Sequence, residues 1–172
     1  ETASAVAYDG RPLEGVELRV VDGEIQVRGP MLLRAYRDGV DPRTADGWLP
    51  TDDAGELEAD GRLVVHGRRA DVINTGGEKV WPIAVERVLQ THPSVAEVAV
   101  VGRPDPEWGQ VVVAVVAPAD PGDPPSLEAL REHVKAELAA YAAPRRLELV
   151  DSLPRTLLGK LERRRLSTPS EP

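Results

Sequence analysis

The stretch that most restricts the fold is residues 110–117, Gln-Val-Val-Val-Ala-Val-Val-Ala, apolar at every position but the first. A short run this rich in β-branched residues reads as a strand in a central position of a sheet. It requires neighbours, and residues 95–101 and 145–150 read as two more strands. Helical spacing begins at Pro82, with Ile83, Val85, Val88 and Leu89, and His92-Pro93 stops it. The proline sits in the tolerated first turn. After a Pro/Asp/Gly loop at 118–125, Ser126 caps a helix carrying Leu127, Leu130, Val134 and Leu138, and residues 159–166 read as a last short helix. Residues 72–166 are therefore expected to form a compact α+β domain, a small three-stranded sheet with flanking helices.

Upstream the period changes. Val16, Leu18 and Val20 alternate, Ile25 and Val27 follow an Asp22-Gly23 turn, and Leu57 with Leu63, Val64 and Val65 predicts a second hairpin across Asp60-Gly61. A loop rich in Asp, Gly and Pro occupies residues 37–47, and no helical period is found before residue 66. The chain thus divides into a β-rich piece (1–66), a junction (67–71), the α+β domain (72–166) and a tail (167–172) read as disordered. A β piece this short buries only roughly 60% of its unfolded surface, so it is expected to pack against structure outside the chain. The opening Glu1-Thr2-Ala3-Ser4, without an initiator Met, reads as a cut from something longer.

Composition removes several classes. With no Phe, three Trp and three Tyr, the core must be built from Val, Leu and Ala. The absence of Cys excludes disulfides, thiolate metal sites and cysteine nucleophiles. A net charge of −8 argues against a general nucleic-acid binder, and no run of 18 apolar residues predicts a membrane span. A cytoplasmic location is expected. Against the acidic whole, residues 145–165 carry seven bases and three acids, an excess that either faces an anionic ligand or is a solvated helix face.

Few residues offer chemistry. Gly159 can aim the Lys160 side chain, a compact charge suited to phosphate or carboxylate oxygens. Asp52 and Asp53 are adjacent on a strand, so they point to opposite faces and only one can face a pocket, where a carboxylate can accept both hydroxyls of a ribose. Otherwise they are turn acids. Thr75-Gly76-Gly77-Glu78 lacks the spacing of a P-loop or a dinucleotide fingerprint and reads as a turn that lets something pass close to the backbone. His66, His92 and His133 match no metal spacing and read as structural, and no Gly-x-Ser-x-Gly is present.

Taken in order, these pieces resemble the C-terminal part of the adenylate-forming (ANL) enzymes, which include acyl-CoA synthetases, aryl-CoA ligases and peptide-synthetase adenylation domains. Residues 1–3 resemble the end of that family's Gly-x-Thr-Glu motif, and residues 23–30 its Gly-Glu-(apolar)-x-Val-(Arg/Lys)-Gly block. Residues 48–55 are similar to Trp-x-x-Thr-Gly-Asp-x-Gly, and 67–86 to Gly-Arg-x-Asp-x-x-Ile…Gly-Gly…Pro-x-x-(apolar)-Glu. Residues 92–110, 138–144 and 153–163 follow the family's later motifs, ending in Pro-Arg-Thr-x-x-Gly-Lys-(apolar)-x-Arg.

The resemblance implies a two-step ligase: a carboxylic acid and ATP give acyl-AMP and pyrophosphate, then the CoA sulfur displaces AMP. It implies that Lys160 bridges carboxylate and phosphate in adenylation, Asp53 holds the ribose hydroxyls and Arg68 supports ribose or phosphate. It further implies Glu1 as the Mg²⁺ ligand and Gly76 and Gly77 as the lining of the CoA tunnel. A hinge at 67–71, with Arg69, Ala70 and Asp71, would swap Lys160 for the Gly76 loop between the two steps.

Two positions depart from the pattern. Ala70 replaces the usual hinge Asp, and Asp52 stands where Gly is usual. Within the family, Tyr8-Asp9-Gly10-Arg11-Pro12-Leu13 and Asp52-Asp53 resemble most the actinobacterial o-succinylbenzoate–CoA ligases of menaquinone biosynthesis. A fatty-acyl or aryl-CoA synthetase is the alternative, as is a binding module that works with a separate N-terminal chain. The implied partners are a small carboxylic acid, ATP, CoA and an N-terminal domain absent from this chain, with a homodimer left open and no nucleic acid. Alone, without a phosphate loop or an acyl pocket, the fragment is expected to be inactive.

Overall fold

The computed structural model describes residues 6–167. The chain divides into two compact units between Ala70 and Asp71.

The first unit is all β. A two-stranded ribbon, β1 (Ala7–Tyr8) and β2 (Arg11–Pro12), precedes an antiparallel meander of β3 (Glu17–Val21), β4 (Glu24–Arg28), β5 (Leu49–Leu57) and β6 (Leu63–Arg68), paired in that order. The β3–β4 turn is tight because Asp22 and Gly23 both take positive φ, 50° and 76°, the geometry that matches strand twist. Alternation puts Val16, Ile25 and Val27 into a small core with Leu18, Val20 and Leu63 packed on it. Trp48 is buried, and the Arg19 and Arg28 guanidinium groups lie over its ring, 4.4 Å and 4.6 Å from the centroid.

The second unit carries the apolar run as β10 (Gly109–Pro118), paired along its length with antiparallel β9 (Val95–Asp105). Its other edge takes parallel β11 (Arg146–Leu149) at Val113–Val116 and, at Gly109, β7 (Ile73–Thr75), which pairs with β8 (Glu78–Val80). The sheet thus has five strands, not three. The extra hairpin has three-residue strands, too short for a period to show.

Two helices cover one face: α1 (Pro82–Leu89) and α2 (Leu127–Lys135) pack Val85, Leu89, Leu130 and Val134 on Val98, Val100, Val112, Ala114 and Val116. Ser126 caps α2, its hydroxyl accepting the Ala129 N–H at 3.1 Å. The opposite face, Ala99, Val101, Val111, Val113 and Val115, is covered by Leu153 and Leu166, with Leu161 and Trp108 against them. That double coverage is why β10 is apolar on both sides.

The last helix, expected from 159, is α3 (Arg163–Ser167). The preceding residues form a hairpin instead, bridged between Arg155 and Leu161. Leu138 lies beyond the end of α2 and packs on the core from the following segment. Between the units, Arg69–Asp71 form one 3₁₀ turn, and Gly67 and Arg68, expected in the junction, are the last residues of β6. Apart from Ser167, the tail lies outside the described residues, as does Glu1. No helix among the described residues is long and apolar enough to cross a membrane.

Candidate active site

In the first unit the site is built on a break in β5. Between β4 and β5 the pairing runs Gln26 to Pro50 and then Glu24 to Ala54, so Thr51, Asp52 and Asp53 stand opposite Ile25 alone and bulge from the ladder. Asp52 takes a φ of +62°, a conformation open to glycine and tolerated by Asp better than by most residues. The bulge, not simple strand alternation, therefore separates the two carboxylates. Asp52 is exposed, while Asp53 lines a cleft of about 380 Å³ with Tyr36, Leu49, Pro50, Thr51 and Arg68. That volume lies within the range of small-molecule sites.

Local bonds hold the bulge. The Thr51 hydroxyl donates to the Ile25 carbonyl at 2.8 Å and accepts the Asp53 N–H at 3.2 Å. Arg68 donates to the Thr51 carbonyl at 3.0 Å and sets its Nε 3.0 Å from an Asp53 oxygen. Burial pushes the Asp53 carboxyl up from its ordinary value; Arg68 pulls it down and Asp52 raises it. The result is a paired but partly desolvated carboxylate facing a cleft, suited to accepting hydroxyl donors.

In the second unit, Gly76 and Gly77 are the two central residues of the β7–β8 turn, with φ of 58° and 88°. A Cβ on Gly76 would meet Trp108 at 2.7 Å, whereas one on Gly77 would meet nothing within 4 Å. The Gly76 N–H donates to the Trp108 carbonyl at 2.9 Å, and the Arg145 guanidinium stacks 3.8 Å from the Trp108 ring centroid.

Lys160 sits in the hairpin expected to be helical. The Thr156 N–H donates to the Lys160 carbonyl at 2.8 Å, the Lys160 N–H donates to the Thr156 hydroxyl at 3.2 Å, and Gly159 turns the chain with a φ of 78°. Arg155 braces the turn, donating to the Gly159 carbonyl at 3.1 Å and to Glu97 at 2.9 Å. Lys160 is exposed and its ammonium has no ion-pair partner among the described residues, whose salt bridges involve other cations. Three residues on, Arg163 is held by the Glu86 carboxylate, donates to the Val100 carbonyl at 2.8 Å and lies 3.3 Å from Asp71. Burial pulls the Arg163 pKa down, but bonding to Glu86 and the charges of Glu86 and Asp71 outweigh it and raise the pKa above its ordinary value. Asp71 is thus engaged within its own unit, and Ala70 is exposed with no side-chain group to bond.

The structure brings Asp53 and Arg68 together, sets Gly76 and Gly77 in one turn, and presents Lys160 on its own hairpin. The described residues include no group of three or more His, Asp or Glu side chains that could hold a metal ion, and Glu1, the implied magnesium ligand, lies outside them. His92 and His133 meet edge to face at 5.2 Å. The sequence reading assigned no role to Thr51, Glu24, Trp108 or Arg163; the positive φ at Asp52 was signalled by its standing where the family usually has Gly.

Comparison with known proteins adds an independent line. Residues 84–160 match the family model described as the AMP-binding enzyme C-terminal domain. The chain is 47% identical over 168 residues to a protein of Mycobacterium tuberculosis named probable 2-succinylbenzoate–CoA ligase, covering 95% of this chain and 44% of that one. It is 41% identical over 144 residues to the indoleacetate–CoA ligase of Aromatoleum aromaticum, covering 82% of this chain and 28% of that one. Among solved structures, the o-succinylbenzoate CoA synthetase of Bacillus subtilis in complex with its acyl-adenylate intermediate superposes with a TM-score of 0.84 at 35% identity, over 94% of this chain and 36% of that one. The chain therefore spans less than half the length of these relatives.

Proposed function

We propose that this chain, as the C-terminal part of an adenylate-forming acid–CoA ligase, supplies that ligase with the groups that hold the nucleotide sugar and the lysine that drives adenylation. Asp53, supported by Arg68, accepts the ribose hydroxyls of ATP and AMP. Lys160 places its ammonium between the acid's carboxylate and the α-phosphate, where negative charge is shared as the acyl–phosphate bond forms and pyrophosphate leaves. A preformed cation in a closed site needs no reorganisation at that moment, which is the source of its effect. Gly76 and Gly77 then line the approach of the CoA thiol, whose sulfur attacks the acyl carbon and expels AMP. A turn at residues 69–71 lets the two units exchange these roles.

The observation that carries this reading is Asp53 paired with Arg68 at 3.0 Å in a cleft, on a bulge built to present one carboxylate. We infer 2-succinylbenzoate as the acid, and with it a role in menaquinone biosynthesis; the names of the mycobacterial relatives and of the Bacillus subtilis structure support the choice of acid. The similarity to an indoleacetate–CoA ligase supports a second reading, an aryl-acetic acid. In a full-length ligase carrying this chain, 2-succinylbenzoate should drive exchange of pyrophosphate into ATP and then CoA thioester formation. Exchange driven by indoleacetate and not by 2-succinylbenzoate would reverse the choice of acid. No exchange with any carboxylic acid would sink the ligase reading. The 172-residue chain alone should give none.

A further inference from the structure

We propose that Glu24 is a positioning residue that fastens the Asp53 bulge to the linker. The proposal rests on the reading of Asp53 as the nucleotide-sugar carboxylate. Glu24 opens β4, and its side chain is 15% exposed, low for a residue at a strand end. Its two oxygens have separate tasks. Oε1 accepts the Asp52 N–H at 3.1 Å, and Oε2 lies 3.4 Å from Arg69 Nη1.

The first task follows from the bulge. At a φ of +62° Asp52 has left strand geometry, so its N–H has no place in the β4–β5 ladder and needs another acceptor. The Thr51 hydroxyl serves Asp53 in the same way. Without the Glu24 carboxylate the turn that aims Asp53 loses its charged acceptor, and charge-assisted bonds are the stronger kind.

The second task reaches the linker. Arg68 and Arg69 are consecutive, and they grip the bulge by different routes. Arg68 binds Thr51 and Asp53 directly; Arg69 binds Glu24, which binds Asp52. Asp52, Glu24, Arg69, Arg68 and Asp53 therefore form a closed ring of contacts inside the first unit. A shift at residue 69 is felt at Asp53 through two attachments, and nucleotide bound at Asp53 stiffens residue 69 in return. Such reciprocity is required of any two coupled sites.

The test uses a full-length ligase carrying this chain and titration calorimetry with AMP, which needs no knowledge of the acid. Glu24→Ala should weaken AMP about tenfold, the order expected for losing a hydrogen bond to a charged group. Glu24→Gln, whose amide oxygen still accepts the Asp52 N–H, should recover most of that loss. Arg69→Gln, which leaves the Arg68–Asp53 pair in place, should weaken AMP by about two- to fivefold, the range of a partly exposed ion pair, and should have no effect in the Glu24→Gln background. A residue that only stabilises the fold would move the melting temperature without this dependence of one variant on the other.

The proposal is overturned if Arg69→Gln acts equally in both backgrounds, or if Glu24→Ala leaves AMP affinity intact while Asp53→Ala weakens it. Should Glu24→Ala not fold, the Glu24→Gln and Arg69→Gln pair decides alone. If Asp53→Ala leaves AMP affinity unchanged, the reading of the site itself fails and takes this inference with it.

Discussion

Substituting Gly76 by Ala tests the second unit's turn in a way that separates backbone strain from packing. The φ of 58° at Gly76 costs a non-glycine residue about 1–2 kcal/mol. The new Cβ would also stand 2.7 Å from Trp108 Cε3 and 2.9 Å from Cζ3, against a favourable carbon–carbon separation of about 3.5–4.0 Å. Trp108 cannot retreat freely. Arg145 stacks on its ring at 3.8 Å, and the ring rests against the face formed by Ala99, Val101, Val111 and Val113. Overpacking of this kind costs about 1–3 kcal/mol.

Gly77→Ala is the internal control, since φ is 88° but no atom lies within 4 Å of the added Cβ. Gly76→Ala should therefore be the more destabilising of the two by about 1–3 kcal/mol, a melting-point difference of about 4 °C or more for a unit this size. Thermal unfolding of the chain by circular dichroism measures it, and Trp108→Ala should abolish most of the difference. Equal melting points for the two glycine variants would refute the packing argument.

Two further perturbations test the core and its histidines. Leu130→Ala, at a fully buried position on the inner face of α2, should cost about 2–5 kcal/mol, whereas Leu157→Ala, on the fully exposed tip of the Lys160 hairpin, should change stability by less than about 0.5 kcal/mol. Denaturant unfolding reads both, and a large loss from Leu157→Ala would show that the tip is packed. Burial, and then the charge of His133, hold the His92 pKa below its ordinary 6.5. Between its folded value and 6.5 the unfolded chain binds more protons, so stability is full above that window and falls as pH drops through it. His92→Asn should flatten this dependence between pH 7 and pH 5, and an unchanged slope would place its origin elsewhere.

Local signals in the sequence carried much of the fold. Asp22-Gly23 marks a hairpin by its own chemistry, Ser126 marks a helix start, and the Val-rich run at 110–117 demands cover on both faces, which the structure supplies. What escaped was short or remote. Ile73–Thr75 and Glu78–Val80 are strands only because Gly109 and the intervening turn pair them. Residues 159–162 have helical composition, yet Leu161 is drawn to the sheet face and Arg155 is bridged to it, so the helix waits until Arg163.

Of the candidate site, Asp53, Arg68, Gly76, Gly77 and Lys160 were nominated in the sequence by motif order alone. Their supports were not. Glu24 reaches Arg69, and Glu86 reaches Arg163, across separations that no local pattern records. The bulge at Asp52 depends on a left-handed φ that only the neighbouring strands enforce.

The most direct test of the central claim compares the two half-reactions after Lys160→Ala in a full-length ligase carrying this chain. Adenylation, read as acid-dependent exchange of pyrophosphate into ATP, should fall by about a hundredfold or more, as expected when a preorganised charge facing the transition state is removed. Thioester formation from preformed acyl-adenylate and CoA should stay within a few-fold of the unsubstituted enzyme. Loss of both half-reactions to the same degree, or retention of the exchange, would contradict the assignment of Lys160 to adenylation.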